Sequence, residues 1–229
     1  MVTGCLRSGI TIYRQGQPAV ADPTGPVYPP ARPALLERVT AKGMIGAAVL
    51  LEPGTAAALR GCLLAGNGAP GSDGGGNYAD APPPTFPVYP TVWARAGSNL
   101  EVVDSRFTAN FDLSIMFEGE RLSARRSLFE HNEDSGLKAQ FQPPAPAMYV
   151  GRRPPALTTV HVSDCRFVNN TSKRGPGGAM CINAGAVVAM NDTLFKGNSA
   201  NTGEGRVVCV CASVCVCVCV CDCARVCVV

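Results

Sequence analysis

A six-residue pattern recurs five times along this chain. It begins with a small polar residue or cysteine, has phenylalanine or leucine two residues later and ends in asparagine, and its copies lie at residues 62–67, 105–110, 127–132, 165–170 and 193–198. Such a repeat predicts that each copy is one structural unit, which buries its apolar face against the units on either side.

The residues upstream of each copy extend the repeat. A glycine stands eight positions before the small residue in four copies and fourteen before it in the longer one: Gly54, Gly97, Gly119, Gly185 and, in the longer copy, Gly151. Apolar residues then stand ten and eight positions before the asparagine, with mixed residues between them, which predicts a strand with one face inward. Six positions before the asparagine a turn is expected, at Gly61, Asp104, Arg126, Asp164 and Asp192. Each unit is therefore predicted to hold two or three short strands joined by turns.

Loops account for the unequal spacing of the units. Successive asparagines lie 43, 22, 38 and 28 residues apart, so the bare unit has 22 residues and the excess is predicted to be loop. Residues 68–90 and 142–155 are rich in glycine and proline, which favours loops that project from a unit without entering its strands.

These features resemble the right-handed parallel β-helix, or pectin-lyase-like, superfamily, and most closely the short repeats of polymorphic outer-membrane proteins. Those repeats couple Phe-x-x-Asn to a following Gly-Gly-Ala-Ile, and here residues 167–170, Phe-Val-Asn-Asn, are followed at 177–180 by Gly-Gly-Ala-Met. The resemblance implies an all-β solenoid of about five rungs with Pro/Gly-rich loop insertions. It implies a fold more firmly than a function.

Three regions are expected from the extent of the repeat. Residues 1–45 are predicted to be an irregular or partial N-terminal segment, residues 46–205 the parallel β-helix and residues 206–229 a Val-Cys low-complexity tail. Residues 198–205 resemble the approach to a further unit, so the chain is interpreted as a fragment of a longer protein.

The tail admits several interpretations. Its alternating cysteines could bind soft metals, but metal-binding tails of this kind have polar spacers and not valine. Its alternation could also form a strand, which would be prone to aggregation. Its apolar run, residues 207–221, has 15 residues and is too short to span a bilayer. The favoured interpretation is a translated dinucleotide repeat, because a GT repeat read in frame alternates the codons of valine and cysteine.

The phenylalanine and asparagine columns are predicted to be structural. In a coil whose equivalent positions repeat every ~4.8 Å, the phenylalanines would stack inside. The asparagines would form a ladder, because an asparagine at a turn can adopt a left-handed backbone and bond its neighbour's amide. The residues of this structural ladder are Phe107, Phe129, Phe167, Phe195, Asn67, Asn110, Asn132, Asn170 and Asn198.

No catalytic residue, cofactor or metal site is predicted. One repeat position holds three acidic residues, Asp104, Asp164 and Asp192. Arg106 and Arg166 follow two of them in the sequence, so these groups could line one face. A β-helix that cleaves polysaccharide needs converging carboxylates or acidic metal ligands with a basic partner, and the adjacent-Asp and His-Gly signatures of such enzymes do not occur here. Turn residues on a solvated corner explain the acids more simply.

The cysteines do not define a disulfide framework. Eight of the twelve lie within residues 209–227, and the others are Cys5, Cys62, Cys165 and Cys181. Cys62 and Cys165 share an inward position but stand three units apart, about 14 Å, so no bond between them is expected.

The expected function is a non-enzymatic extracellular or cell-surface module that binds polysaccharide or a cell-surface protein. The alternative is a fragment of a polysaccharide lyase or glycoside hydrolase. Three glycosylation sequons, at Asn169, Asn170 and Asn191, favour an extracellular parent protein. Residues 1–17 contain no apolar run long enough for a signal peptide, so either the protein is cytosolic or its true start is missing. His131 and His161 are expected to be surface or turn residues. The net charge of +3 is scattered, so no nucleic-acid surface is predicted. No transmembrane span is predicted either, because the apolar run 207–221 is too short.

Overall fold

Short strands separated by tight turns make up the structure. The computed structural model describes residues 2–3, 9–13, 33–68, 90–111, 113–133, 148–150, 158–172, 178–182, 186–200, 208–210 and 217–218. None of these residues is helical. In chain order the strands are β1 (Val2–Thr3), β2 (Ile10–Ile12), β3 (Ala34–Glu37), β4 (Thr40–Lys42), β5 (Val49–Leu51), β6 (Ala56–Arg60), β7 (Leu63–Ala65), β8 (Val92–Ala94), β9 (Asn99–Val103), β10 (Arg106–Thr108), β11 (Ile115–Phe117), β12 (Arg121–Arg125), β13 (Leu128–Glu130), β14 (Met148–Val150), β15 (Thr158–Ser163), β16 (Arg166–Val168), β17 (Thr171–Ser172), β18 (Met180–Ile182), β19 (Ala186–Asn191), β20 (Leu194–Lys196), β21 (Ser199–Ala200), β22 (Val208–Val210) and β23 (Cys217–Val218).

Three parallel sheets of seven strands each contain nearly all of these strands. Sheet A has the order β1-β4-β7-β10-β13-β16-β20, sheet B β2-β5-β8-β11-β14-β18-β22 and sheet C β3-β6-β9-β12-β15-β19-β23. Strands β17 and β21 form a small parallel pair. The chain visits sheets B, C and A in turn, so each unit adds one strand to each sheet and pairs with the units before and after it. This all-β, all-parallel connectivity is compatible with the solenoid expected from the repeat.

Two corners of each unit are formed by residues with a left-handed backbone. At the corner between sheets C and A the φ angles lie between 45° and 59°, at Arg38, Gly61, Asp104, Arg126, Asp164 and Asp192. At the corner that follows sheet A they lie between 52° and 64°, at Gly43, Gly66, Ala109, His131, Asn169 and Gly197. The turn expected six residues before each asparagine is therefore present. The expectation that the ladder asparagines themselves adopt the left-handed backbone is wrong: the residue before each of them does, which turns the asparagine side chain inward.

The glycine column has two separate causes. Gly54 and Gly97 have φ angles of 73° and 74°, which favour glycine because it lacks a Cβ. Gly119 is required by close packing, since a Cβ there would lie 2.3 Å from the carbonyl oxygen of Ser98. Gly151 and Gly185 lie outside the described residues.

The core lies between the three sheets and follows the strand alternation. Among the described side chains, sheet A contributes the central residue of each strand from β4 to β20, and sheets B and C contribute alternate residues of their strands. The inward side chains include Leu64, Phe107, Phe129, Phe167 and Phe195 from sheet A, Val49, Leu51, Val92, Ala94, Ile115 and Phe117 from sheet B, and Leu59, Leu100, Val102, Leu122, Ala124, Val160, Val162, Val188 and Met190 from sheet C. The apolar positions ten and eight before each asparagine are thus the inward positions of sheet C.

Regular strand pairing begins before residue 46. Strands β2, β3 and β4 pair in parallel with β5, β6 and β7, so the segment 1–45 is not wholly irregular. The repeat pattern misses this unit because Ala41 and Met44 stand where later units have phenylalanine and asparagine, as the pairing of Ala41 with Leu64 shows. Within the predicted loop 142–155, Met148–Val150 is a strand of sheet B. In the tail, β22 and β23 pair with β18 and β19.

Candidate binding surface

The four phenylalanines of the repeat form one stack inside the molecule. Phe107, Phe129 and Phe167 are fully buried, and their adjacent ring centroids lie 4.7 Å apart. Phe195 follows at 5.0 Å and is 6% exposed. The planes of adjacent rings differ by 12° at most. The register of the parallel strands aligns the rings, because residues in pairing positions project in the same direction.

The asparagines form a directional hydrogen-bonded ladder. The Oδ1 atom of Asn132 accepts bonds from the backbone nitrogen (3.1 Å) and the Nδ2 (2.9 Å) of Asn110. The Nδ2 of Asn132 donates to the carbonyl oxygen of Phe107 (3.2 Å) and to Oδ1 of Asn170 (2.8 Å). The same bonds link Asn67 to Asn110 and Asn170 to Asn198. Every amide group inside the ladder is therefore bonded, and none is free to bind a ligand.

A second ladder accompanies the first, and the sequence pattern did not predict it. The small residue of each unit points inward, and in the two units where it is serine its hydroxyl group accepts a bond from the backbone nitrogen of the preceding unit. Ser105 Oγ accepts from the nitrogen of Cys62 at 3.1 Å, and Ser127 Oγ accepts from that of Ser105 at 3.2 Å. The signal was present in the sequence as a run of small residues able to accept hydrogen bonds at one repeat position. Both ladders lie in the interior, so any ligand site must lie on the outer faces or corners.

The acidic corner does not gather the groups that catalysis needs. Arg126 donates two hydrogen bonds to the Asp104 carboxylate, at 2.7 and 2.8 Å, so this acid is held in an ion pair on an exposed turn. Asp164 and Asp192 occupy the same turn position in later units and are exposed. Arg106 lies on the outer face of sheet A, where it forms an ion pair with Glu130. Among the described residues, no three His, Cys, Asp or Glu side chains converge on a metal position.

The Asp104 ion pair predicts a specific pH response. The hydrogen bonds from Arg126 hold the pKa of the Asp104 carboxyl below its usual value. Because the folded-state pKa is the lower one, the stabilisation is present above the unfolded pKa and is lost as the pH falls through the folded pKa. We expect Arg126→Gln to raise the titration midpoint of Asp104, measured by carbon NMR of its carboxyl group. Arg121→Gln, at an exposed arginine of sheet C, is the control and should leave the midpoint unchanged.

The three sequons differ in accessibility. Asn169 and Asn191 are exposed. Asn170 is fully buried and its Nδ2 atom donates to Phe129 and Asn198, so a glycan on Asn170 is incompatible with the folded ladder. His131 and His161 are both exposed, and His131 Nε2 lies 3.3 Å from the side-chain nitrogen of Asn169.

The two described interior cysteines are shielded from solvent. Cys62 and Cys165 are buried free thiols of the small-residue column, and Ser105 and Ser127 stand between them in the register. Burial raises the pKa of Cys62, and it raises that of Cys165 to about 11. Both occupy the buried small-residue position of their units, which identifies them as packing residues.

Native Cys165 should react very slowly with alkylating reagents. With a pKa of about 11, about one thiol in a thousand is ionised at pH 8, and the thiolate is the reactive form. We expect pulse alkylation followed by peptide mass spectrometry to label Cys165 at least a hundredfold more slowly in native protein than in guanidinium chloride. Equal labelling rates in the two conditions would contradict its buried position.

The outer face of sheet B carries an ordered cluster around the single tryptophan. Strand register aligns Leu50, Trp93 and Met116, the central residues of their strands, and all three side chains are half-buried. They point outward because their neighbours on each side are core residues. We call this row and the charged residues that follow each strand, Glu52, Arg95 and Glu118, the Trp93 surface.

Polar contacts hold the Trp93 surface in place. The indole Nε1 of Trp93 donates to Glu118 at 3.0 Å. Arg95 forms an ion pair with Glu52 at 2.8 Å, and its guanidinium carbon lies 5.2 Å from the Trp93 ring centre. A half-exposed tryptophan fixed by hydrogen bonding and a cation–π contact is pre-organised for binding. Val92 and Trp93 are adjacent apolar residues in the sequence, and only the strand register shows that Trp93 points outward.

Sheet C presents a more polar outer face. Arg60 and Arg125 both contact Glu101, at 3.0 and 3.4 Å, across three successive strands. Arg121 is exposed on the same face, beside Ser123. The described outward positions of this face also include the exposed Leu35, His161 and Val187, and none of these positions is a phenylalanine, tyrosine or tryptophan.

The described part of the chain has no helix with the length and apolar character needed to cross a membrane. No protein-family model matches the chain, and comparisons with curated proteins and with solved structures find no significant match.

Proposed function

We propose that the three sheets are the sides of a right-handed parallel β-helix of the pectin-lyase-like type. Each unit adds one strand to each sheet, and every pairing between units is parallel. Crossover connections between parallel strands are right-handed in nearly all proteins, which supports the proposed handedness. The left-handed residues at equivalent corners of successive units support the same architecture.

We propose further that the chain is a non-enzymatic extracellular or cell-surface module that binds glycans or proteins. The observation that carries this proposal is the Trp93 surface. Tryptophan and arginine dominate the energetics of binding surfaces because they offer large contact areas with polar groups attached. Here their contacts with Glu118 and Glu52 fix both side chains before a ligand arrives. The exposed sequons at Asn169 and Asn191 are candidate glycosylation positions in such a protein.

Trp93 is the only tryptophan of the chain, so its fluorescence reports directly on this surface. The test is a fluorescence titration of the full chain with cellohexaose, xylohexaose and oligogalacturonate. Binding of the labelled protein to a glycan array extends the test to other glycans. We expect a saturable change in fluorescence, and at least tenfold weaker binding in Met116→Ala. Leu35→Ala, at an exposed position on sheet C, is the control and should bind normally. If Met116→Ala and Leu35→Ala bind every ligand equally well, the Trp93 surface is not the site.

The alternative, a polysaccharide lyase or hydrolase fragment, predicts a different outcome of the same experiment. Cleavage would release new reducing ends, or unsaturated sugars that absorb ultraviolet light, whereas a binding module leaves the oligosaccharide intact. Product analysis by mass spectrometry after prolonged incubation distinguishes the two. The acidic corner gives no support to the enzyme, since Asp104 is already paired with Arg126.

A further inference from the structure

Met116 has different surroundings from the other methionines whose side chains the structure describes. Its side chain is half-buried on the outer face of sheet B. Met44, Met180 and Met190 belong to the core and are at most 3% exposed. A dissolved oxidant can therefore reach the Met116 thioether, whereas packed strands cover the other three. This difference in exposure makes Met116 the preferred target of an oxidant such as a peroxide.

The neighbours of Met116 give its oxidation a structural consequence. Met116 and Trp93 are partners in the parallel pairing of β11 with β8, so their side chains leave the same face about 4.8 Å apart. The indole Nε1 of Trp93 donates to Glu118, two residues beyond Met116, at 3.0 Å. Trp93 is thus held by the unit that contains Met116. Thioethers pack favourably beside aromatic rings, so the reduced side chain suits this position.

Oxidation would place a hydrogen-bond acceptor among donors. The Met116 sulfur attacks one oxygen of hydrogen peroxide, and a sulfur–oxygen bond forms as the oxygen–oxygen bond breaks. The proton of the attacked oxygen passes to the leaving hydroxide, which departs as water, so sulfur loses two electrons and the peroxide gains them. The product is polar. The cluster offers its oxygen two donors, Nε1 of Trp93 and the guanidinium of Arg95, whose carbon lies 5.2 Å from the Trp93 ring centre.

We propose that Met116 is a reversible oxidation site that controls the arrangement of the Trp93 surface. In the thioether form, Glu118 and Arg95 hold the indole beside an apolar row. In the sulfoxide form, the new oxygen competes with Glu118 for the indole nitrogen and a polar group interrupts the row, so Trp93 loses its fixed orientation. The effect on ligand binding rests on the proposed function of this surface, whereas the oxidation and the change at Trp93 do not.

Site-specific oxidation and tryptophan emission test the proposal in the full chain. The protein is treated with hydrogen peroxide and then with dithiothreitol, which reverses disulfides and sulfenic acids of the cysteines but leaves methionine sulfoxide. Peptide mass spectrometry should show Met116 oxidised at least tenfold faster than Met44, Met180 and Met190. The emission of Trp93 should shift to longer wavelength as the indole becomes more solvated. Methionine sulfoxide reductases that act on both epimers should restore it.

Met116→Leu and Met190→Leu form a matched pair of variants. Each replaces a methionine with a hydrocarbon side chain of similar volume, and each is compared with its own untreated sample. Peroxide should leave the Trp93 emission of Met116→Leu unchanged and shift that of Met190→Leu as in the natural protein. A shift that persists in Met116→Leu would overturn the proposal. So would equal oxidation rates for the described methionines, or complete oxidation of Met116 without a shift, both of which are measured in the natural protein.

Ligand binding is measured separately with any glycan or protein found to bind the Trp93 surface. Oxidation of the natural protein should weaken that binding at least tenfold, and reductase treatment should restore it. Unchanged affinity after complete oxidation of Met116 would overturn its control of the surface. If no ligand binds the reduced protein, the proposed function fails, but the oxidation rates and the emission of Trp93 still decide whether Met116 is the oxidation site.

Discussion

Replacing Phe129 with alanine is expected to destabilise the protein by about 4 to 5 kcal/mol. Phe129 is fully buried, and its ring lies 4.7 Å from both Phe107 and Phe167. The substitution therefore creates a cavity in the centre of the stack and removes two aromatic contacts. Urea unfolding followed by circular dichroism should show a lower midpoint.

The end of the stack supplies the control for this prediction. The Phe195 ring is 6% exposed and has one described stacking partner, at 5.0 Å. Phe195→Ala should therefore destabilise the protein by about half as much as Phe129→Ala. Phe129→Leu fills most of the cavity and should cost roughly 1 to 2 kcal/mol. If the three variants unfold at the same urea concentration, Phe129 does not occupy the middle of a packed stack.

The strand register of the interior could be read from the sequence, because the repeat has a fixed internal spacing. Once Phe107 and Phe129 are aligned, parallel pairing follows for every residue between the turn and the asparagine, as it does in the structure. The inward positions of sheet C followed from simple alternation of apolar and mixed residues. Local periodicity is sufficient to predict the register and the inward positions, because each strand pairs only with its counterparts in neighbouring units.

Other features could not be predicted because they depend on geometry that the pattern does not encode. The unit containing Ala41 and Met44 lacks the phenylalanine and asparagine of the repeat but keeps the fold. Both of its replacement residues are apolar and buried. Its backbone joins the ladder nevertheless: the nitrogen of Met44 donates to Oδ1 of Asn67 at 3.1 Å. A search for the repeated side chains cannot find a unit that joins the asparagine ladder only through its backbone.

The Trp93 surface was hidden for a related reason. A three-residue apolar patch such as Leu50 with its neighbours could be wholly buried, and composition does not show which residue faces outward. Only the pairing of sheet B places the central residue on the outside and brings Arg95 and Glu118 beside Trp93. Charged residues directly after an apolar patch were the available signal.

Asn132→Asp should destabilise the protein by at least about 4 kcal/mol at neutral pH. The substitution preserves the shape of the side chain but replaces Nδ2, which donates to Phe107 and Asn170, with an oxygen that repels both acceptors. It also places a negative charge at a fully buried position. Urea unfolding at pH 7 measures the loss. Asn169→Asp is the control: it makes the same change at an exposed residue of the next unit, whose left-handed backbone aspartate tolerates.

The pH dependence of Asn132→Asp separates the charge from the lost donor. Burial and two facing acceptors raise the pKa of the introduced carboxyl above its unfolded value of about 4. A raised folded-state pKa means that stability falls as the pH rises from the unfolded pKa, and levels off above the folded one. The difference from the natural protein should therefore be smallest in acid, where the protonated carboxyl can donate one hydrogen bond. A pH-independent loss, or a loss no larger than that of Asn169→Asp, would show that Asn132 is not held by the amide ladder.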